Sequence, residues 1–87
     1  MLDPHRSRSA LAMGAALATL SLPDLAVRCA GVGDVLTTEH LARLLWSTAP
    51  RSAYEHDVVA ATLNDRLVED GLNRPVSISR DLASGSP

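Results

Sequence analysis

The 87-residue sequence contains no lysine and no phenylalanine, and only one cysteine, one tryptophan, one tyrosine and one isoleucine. Each scarcity narrows the field. A lone cysteine, Cys29, can form neither an intramolecular disulfide nor a multi-cysteine zinc site, which argues against a disulfide-stapled secreted scaffold. With so few aromatic and β-branched side chains there is little material for strands. Positive charge is not in excess: the formal net charge is −2, and all eight basic residues are arginine. A dedicated nucleic-acid binder usually shows a basic surplus, although a local patch can be basic within an acidic whole. No apolar stretch reaches the ~17 residues that a membrane-spanning helix needs.

Fourteen leucines and thirteen alanines are what the chain has instead. Both are strong helix formers. At this length there is room for one domain, with a stability of roughly 4–13 kcal/mol. The expected fold is all-α: a compact bundle of about four helices over residues 1–75. A short extended or disordered tail, flexible over residues 76–87, follows it.

Near the start, Arg6 and Arg8 precede an apolar run from Ala10 to Leu22, which is the outline of a signal peptide. The run is only mildly hydrophobic and is interrupted by Gly14, Thr19 and Ser21. Its one small-x-small site, Thr19-x-Ser21, stands directly before Leu22-Pro23. We read it as an Ala-rich helix packing closely against its neighbours in a cytoplasmic protein. This helix should begin between Arg6 and Ser9 and run to Thr19 or Leu20. Its apolar positions go nearly all the way round, so it is either buried or covered by a partner. Leu11, Met13 and Leu17 are its candidate contact residues.

Ser21-Leu22-Pro23-Asp24 reads as a second helix start: a hydroxyl to cap, a proline tolerated in the first turn, and an acid at the positive helix end. That helix should stop at Gly31, with Gly31-Val32-Gly33-Asp34 forming a turn. A third start falls at Thr37 or Thr38, followed by an apolar stripe of Leu41, Leu44 and Leu45. Ser47-Thr48-Ala49-Pro50 ends that helix, because a residue before proline is pushed away from helical geometry. Trp46, just before this break, is expected to be buried against Leu41, Leu45, Val59 and Leu63 as the plug of a Leu/Ala core. An exposed Trp46 would become the leading candidate for partner contact.

The fourth helix is the best delimited. Ser52-Ala53-Tyr54-Glu55 is a capping box and Gly71 is the stop. Val59, Ala60, Leu63 and Leu67 form one apolar stripe; Tyr54, Val58, Ala61 and Val68 form another. Two stripes place this helix centrally, with neighbours on two sides. Asn64, Asp65 and Arg66 are expected on a solvated face. A sharper version puts Asp65 at the rim of a contact surface centred on Tyr54, Val58 and Ala61, where a carboxylate is tolerable beside an arginine.

Sites of chemistry are poorly supported. His5, His40 and His56 show no metal-ligand spacing. His56 falls on the first stripe and should be a partly buried, hydrogen-bonded ring. Cys29 sits near the negative end of a helix, which disfavours a thiolate, so it is expected to be structural. Gly31-x-Gly33 follows a helix and lacks the lysine of a phosphate loop. No catalytic residue, metal or cofactor is assigned.

The run His56-Asp57-Val58-Val59-Ala60-Ala61-Thr62-Leu63-Asn64-Asp65-Arg66-Leu67, followed by Gly71 and Pro75-Val76, resembles the C-terminal part of small uncharacterised helical proteins of high-GC Gram-positive bacteria. The resemblance covers about residues 21–81. It implies a bacterial cytosolic setting and a fixed C-terminal helix, and it carries over no functional residue.

The reading that best fits is a non-enzymatic helical module acting through apolar helix faces. Its partner would be a second copy in a homodimer or a larger regulatory protein, with no membrane involved. The contact residues would be Leu11, Met13, Leu17, Tyr54, Val58, Ala61 and Asp65. A second reading is a helix-turn-helix transcriptional regulator that offers Thr38, His40 and Arg43 to DNA. That reading requires Arg28, Arg43, Arg51 and Arg66 to share a face with Thr38 and His40.

Overall fold

A computed structural model describes residues 2–31 and 36–82. It contains four helices: α1 (Pro4–Ala18), α2 (Leu22–Gly31), α3 (Thr38–Trp46) and α4 (Ala53–Glu69). A 3-10 turn, Ser79–Leu82, follows, and there is no strand among the described residues. The radius of gyration is 11.9 Å, close to the ~12 Å of a fully compacted chain of this length. The all-α bundle read from composition is therefore the fold.

Each helix is delimited by local chemistry. α1 starts earlier than the hydrophobic pattern suggested, because Asp3 caps it: Asp3 Oδ1 accepts from the amides of His5 (2.9 Å) and Arg6 (3.4 Å), and Pro4 supplies the preset φ of the first turn. It ends at Thr19, whose φ of 53° lies in the left-handed region. Ser21 Oγ accepts from Asp24 N at 3.3 Å to open α2, and Thr37 Oγ1 accepts from His40 N at 3.0 Å to open α3. The capping box of α4 is complete: Ser52 Oγ accepts from Glu55 N (3.0 Å), and Glu55 Oε1 accepts from Ser52 N (2.8 Å). Gly71, at φ 88°, ends α4 in a Schellman motif, with Leu72 N donating to Leu67 O and Gly71 N to Val68 O. Gly31 is the last residue of α2. The remaining turn residues expected there, Val32, Gly33 and Asp34, lie outside the described residues.

The core is a leucine cluster. Leu11, Leu25, Leu41, Leu44, Leu45, Leu63 and Leu67 are buried with Val59, Ala60, Cys29 and Ala18. The stripe Val59, Ala60, Leu63, Leu67 faces it over its whole length, and α4 packs against both α1 and α2. The second stripe turns outward: Tyr54 is 64% exposed, Ala61 is exposed and Val58 is only partly buried.

The buried face of α1 is Ser7, Leu11, Gly14 and Ala18. These positions follow the helical period, but two of them are not hydrophobic, so apolar bulk alone could not find the inward face. Leu11 is a core residue with no exposed surface, so it does not offer the partner contact expected of it.

The segment after α4 is extended, as expected, and residues 76–82, expected to be a flexible tail, are docked on the helices. Val76 and Leu82 are buried, and the 3-10 turn packs on α4 and α1. Residues 83–87, also expected to be disordered, lie outside the described residues. Among the described residues, no single helix is long and apolar enough to cross a membrane. α1 and α2 together reach the length and composition, but they meet at an angle of 99°.

Candidate interaction surface

An apolar groove of about 410 Å³ opens between the C-terminal halves of α1 and α3. α1 lines it with Ala12, Ala15 and Ala16, the α1–α2 link with Thr19, Leu20 and Ser21, α2 with Leu22, and α3 with Leu45 and Trp46. Alanines create it: three short side chains cannot fill the space between the helices, and the turn at Thr19 takes the chain away before a bulkier residue can.

Trp46 flanks this groove and is 67% exposed. The expectation that it plugs the core is overturned, and the reason is angular. Leu41, Leu44 and Leu45 direct one face of α3 inward, whereas Trp46 follows Leu41 by five residues and so points about 140° away. On α1, Met13 (44% exposed) and Leu17 (48% exposed) extend the apolar surface beside Ala16. On α4, Tyr54, Ala61, Asp65 and Val68 are exposed in a separate stripe.

Charged groups are mostly committed elsewhere. Arg51 closes the C-terminal end of α3, donating to the carbonyls of Leu44 (2.5 Å) and Ala49 (3.1 Å), and to Ser47 O. A cation is favourable at that end of a helix. Burial pushes its pKa below the usual arginine value, opposed by the nearby Glu55 carboxylate. His40 Nε2 lies 2.5 Å from Glu55 Oε2, joining the first turns of α3 and α4. The Ser52 amide, and then His40, hold the Glu55 carboxyl below its ordinary range despite partial burial. Arg28 pairs with Glu69 (3.2 Å) and Arg66 with Asp70 (3.3 Å) at the far end of α4. Fourteen residues of helix separate Glu55 from Glu69, a distance of about 21 Å. Arg28 therefore lies near the opposite end of α4 from His40, and Arg51 is spent on carbonyls and on Ser7 Oγ. Thr38 and Arg43 are exposed.

A buried polar cluster is not legible in the sequence because its members are far apart. Ser7 and His56 have no exposed surface, and Ser7 Oγ is 2.7 Å from His56 Nδ1. His56 Nε2 donates to Ser77 O at 2.8 Å. A carbonyl can only accept, so Nε2 carries a proton, and in the neutral ring Nδ1 accepts from the Ser7 hydroxyl. The pair has the contact distance of a nucleophile and its base. It is nonetheless sealed from solvent and spent on joining α1, α4 and the C-terminal segment. His56 is thus hydrogen-bonded as expected, but fully and not partly buried. Cys29 is likewise buried, with Sγ 3.7 Å from Thr62 Oγ1, which itself donates to Val58 O. Asn64, expected on a solvated face, is buried, and its amide grips the backbone of Val76. Among the described residues, no three His, Cys, Asp or Glu side chains converge to hold a metal ion.

No protein-family model, curated protein or solved structure matches the chain.

Proposed function

We propose that this protein is a non-enzymatic helical interaction module that takes an apolar helical segment in the α1–α3 groove, against Trp46. The observation that carries the reading is the exposure of the single tryptophan beside a groove of alanines. Solvated indole is costly to leave uncovered, and tryptophan dominates contact energetics where it is found. Concave alanine surface next to a protruding ring suits the ridges of a partner helix. Met13 and Leu17 widen the contact, while Tyr54, Val58, Ala61 and Asp65 form a second, smaller face on α4. The partner is a second copy of the chain or a larger regulatory protein. We place this activity in the cytoplasm, because the buried stripe of α1 serves packing within the domain.

Sedimentation equilibrium of the intact chain, beside Trp46→Ala, tests the self-association arm, and capture of partners from a bacterial lysate with the same two chains tests the other. Association or capture by the wild-type chain that is lost in Trp46→Ala supports the reading. A monomer that captures nothing, or captures equally with and without Trp46, contradicts it.

A further inference from the structure

The C-terminal segment occupies a second cleft, formed by α1 and α4 on the other side of α1. Gly14 lies about 200° round the helix from Ala12, so cleft and groove use opposite faces. The segment is read there mainly through its backbone. Asn64 Nδ2 donates to Val76 O and Asn64 Oδ1 accepts from Val76 N, both at 2.9 Å, which imitates the pairing of a neighbouring strand. His56 Nε2 donates to Ser77 O. Asp57 accepts from Ser79 N and from Ser79 Oγ, both at 2.7 Å. Asp3 N donates to Leu82 O at 3.3 Å. Two side chains enter pockets: Val76, which is 2% exposed, and Leu82. Val76 lies so close to Gly14 that a Cβ added there would stand 2.4 Å from Val76 Cγ2. This is how a groove binds an extended peptide: main-chain hydrogen bonds for affinity and pockets at chosen positions for selection.

The connection to α4 is suited to opening. Residues 71–75 are all exposed. Arg74 has a φ of 47°, unfavourable for a residue with a side chain and more so before proline. Straightened, these five residues reach about 17 Å. A second copy carries the same segment, so each of these contacts can be rebuilt between molecules with only the hinge changed.

We propose that the α1–α4 cleft is a recognition site for an extended segment with Val and Leu six residues apart and Ser three residues after the Val, and that residues 76–82 of a second copy exchange into it. The exchange is independent of the Trp46 groove. Two full-length chains test it, both carrying Trp46→Ala so that the groove does not contribute. One has Val76→Asp, which keeps the cleft and spoils the segment; the other has Gly14→Ala, which keeps the segment and blocks the cleft. In sedimentation velocity neither alone forms an exchanged dimer, and the mixture gives a 1:1 heterodimer. Absence of the heterodimer from a mixture of folded chains overturns the proposal. Circular dichroism reports whether each variant keeps its helices. Where one does not, a fluorescent peptide of residues 75–82 titrated with the wild-type chain decides: saturable binding, reversed by unlabelled peptide, is expected, and no binding overturns it. Where Val76→Asp is folded, it binds the peptide about tenfold more tightly than wild type, because its own segment no longer competes. Equal affinity would overturn the proposal.

Discussion

The two sides of α1 solve the same problem differently. Both carry small residues where a packed helix would ordinarily carry leucine. On the α4 side, Gly14 lets Val76 come into van der Waals contact, and the C-terminal segment closes the gap. On the α3 side, Ala12, Ala15 and Ala16 leave a trough that nothing in the described chain fills, with Trp46 standing beside it. Small residues therefore mark a place of close approach without saying whether the approaching group belongs to the same chain. What separates the two is the polar frame. The filled cleft has Asn64, His56 and Asp57 satisfying the backbone of its occupant, which is the requirement for burying an extended segment. The open groove has no such frame and suits a helix, whose backbone is already satisfied.

The largest effect should come from the floor of the filled cleft. Leu63 is completely buried beside Gly14, and Leu63→Ala should destabilise the domain by about 2–5 kcal/mol in chemical denaturation. Gly14→Ala should cost less, about 1–3 kcal/mol, by forcing Val76 out. The loss should be largely absent when Val76→Ala is already present, since the clash partner is gone; additive losses in that double-mutant cycle would break the contrast between filled and open sides.

Acid should act on the α3–α4 junction, away from both surfaces. The carboxyl of Glu55 has a lower pKa folded than unfolded, so its contribution is present above the ordinary glutamate pKa and disappears as pH falls through the folded value. Glutamine keeps the capping box, so what is lost is the negative charge at the start of α4, worth up to about 1 kcal/mol. Glu55→Gln should therefore be less stable than wild type near neutrality and converge with it in acid, as read from melting curves across pH. At the lip of the open groove, Thr19→Gly should stabilise by roughly 0.5–1 kcal/mol, because glycine accepts the left-handed conformation freely.

How far the sequence reached depended on whether a signal was local. Ser21, Thr37, the Ser52/Glu55 box and the stop at Gly71 are read from neighbours within four positions, and all of them operate as caps. Asp3-Pro4 is an equally local signal and sets the start of α1 ahead of the apolar run. The core stripe of α4 was legible because all four members are apolar. The inward face of α1 was not, because Ser7 and Gly14 earn burial through partners 49 and 62 positions away, His56 and Val76. The docked segment was illegible for the same reason: its anchors, Asn64 and Asp57, look like solvated helix residues until Val76 and Ser79 are placed against them. Trp46 is a different failure. Counting five positions on from Leu41 takes it off the inward face, and its bulk outweighed that count.

The central claim is that Trp46 serves contact and not folding, and Trp46→Ala tests it most directly when melting and association are measured on the same sample. An exposed position predicts a change in stability within about 0.5 kcal/mol, or some 2–4 °C in Tm. It also predicts a loss of self-association or partner capture of about 2 kcal/mol, near thirtyfold. A core plug predicts the reverse: a loss of about 3–5 kcal/mol and an unfolded chain. An unfolded Trp46→Ala, or a folded one that associates as the wild type does, would contradict the account.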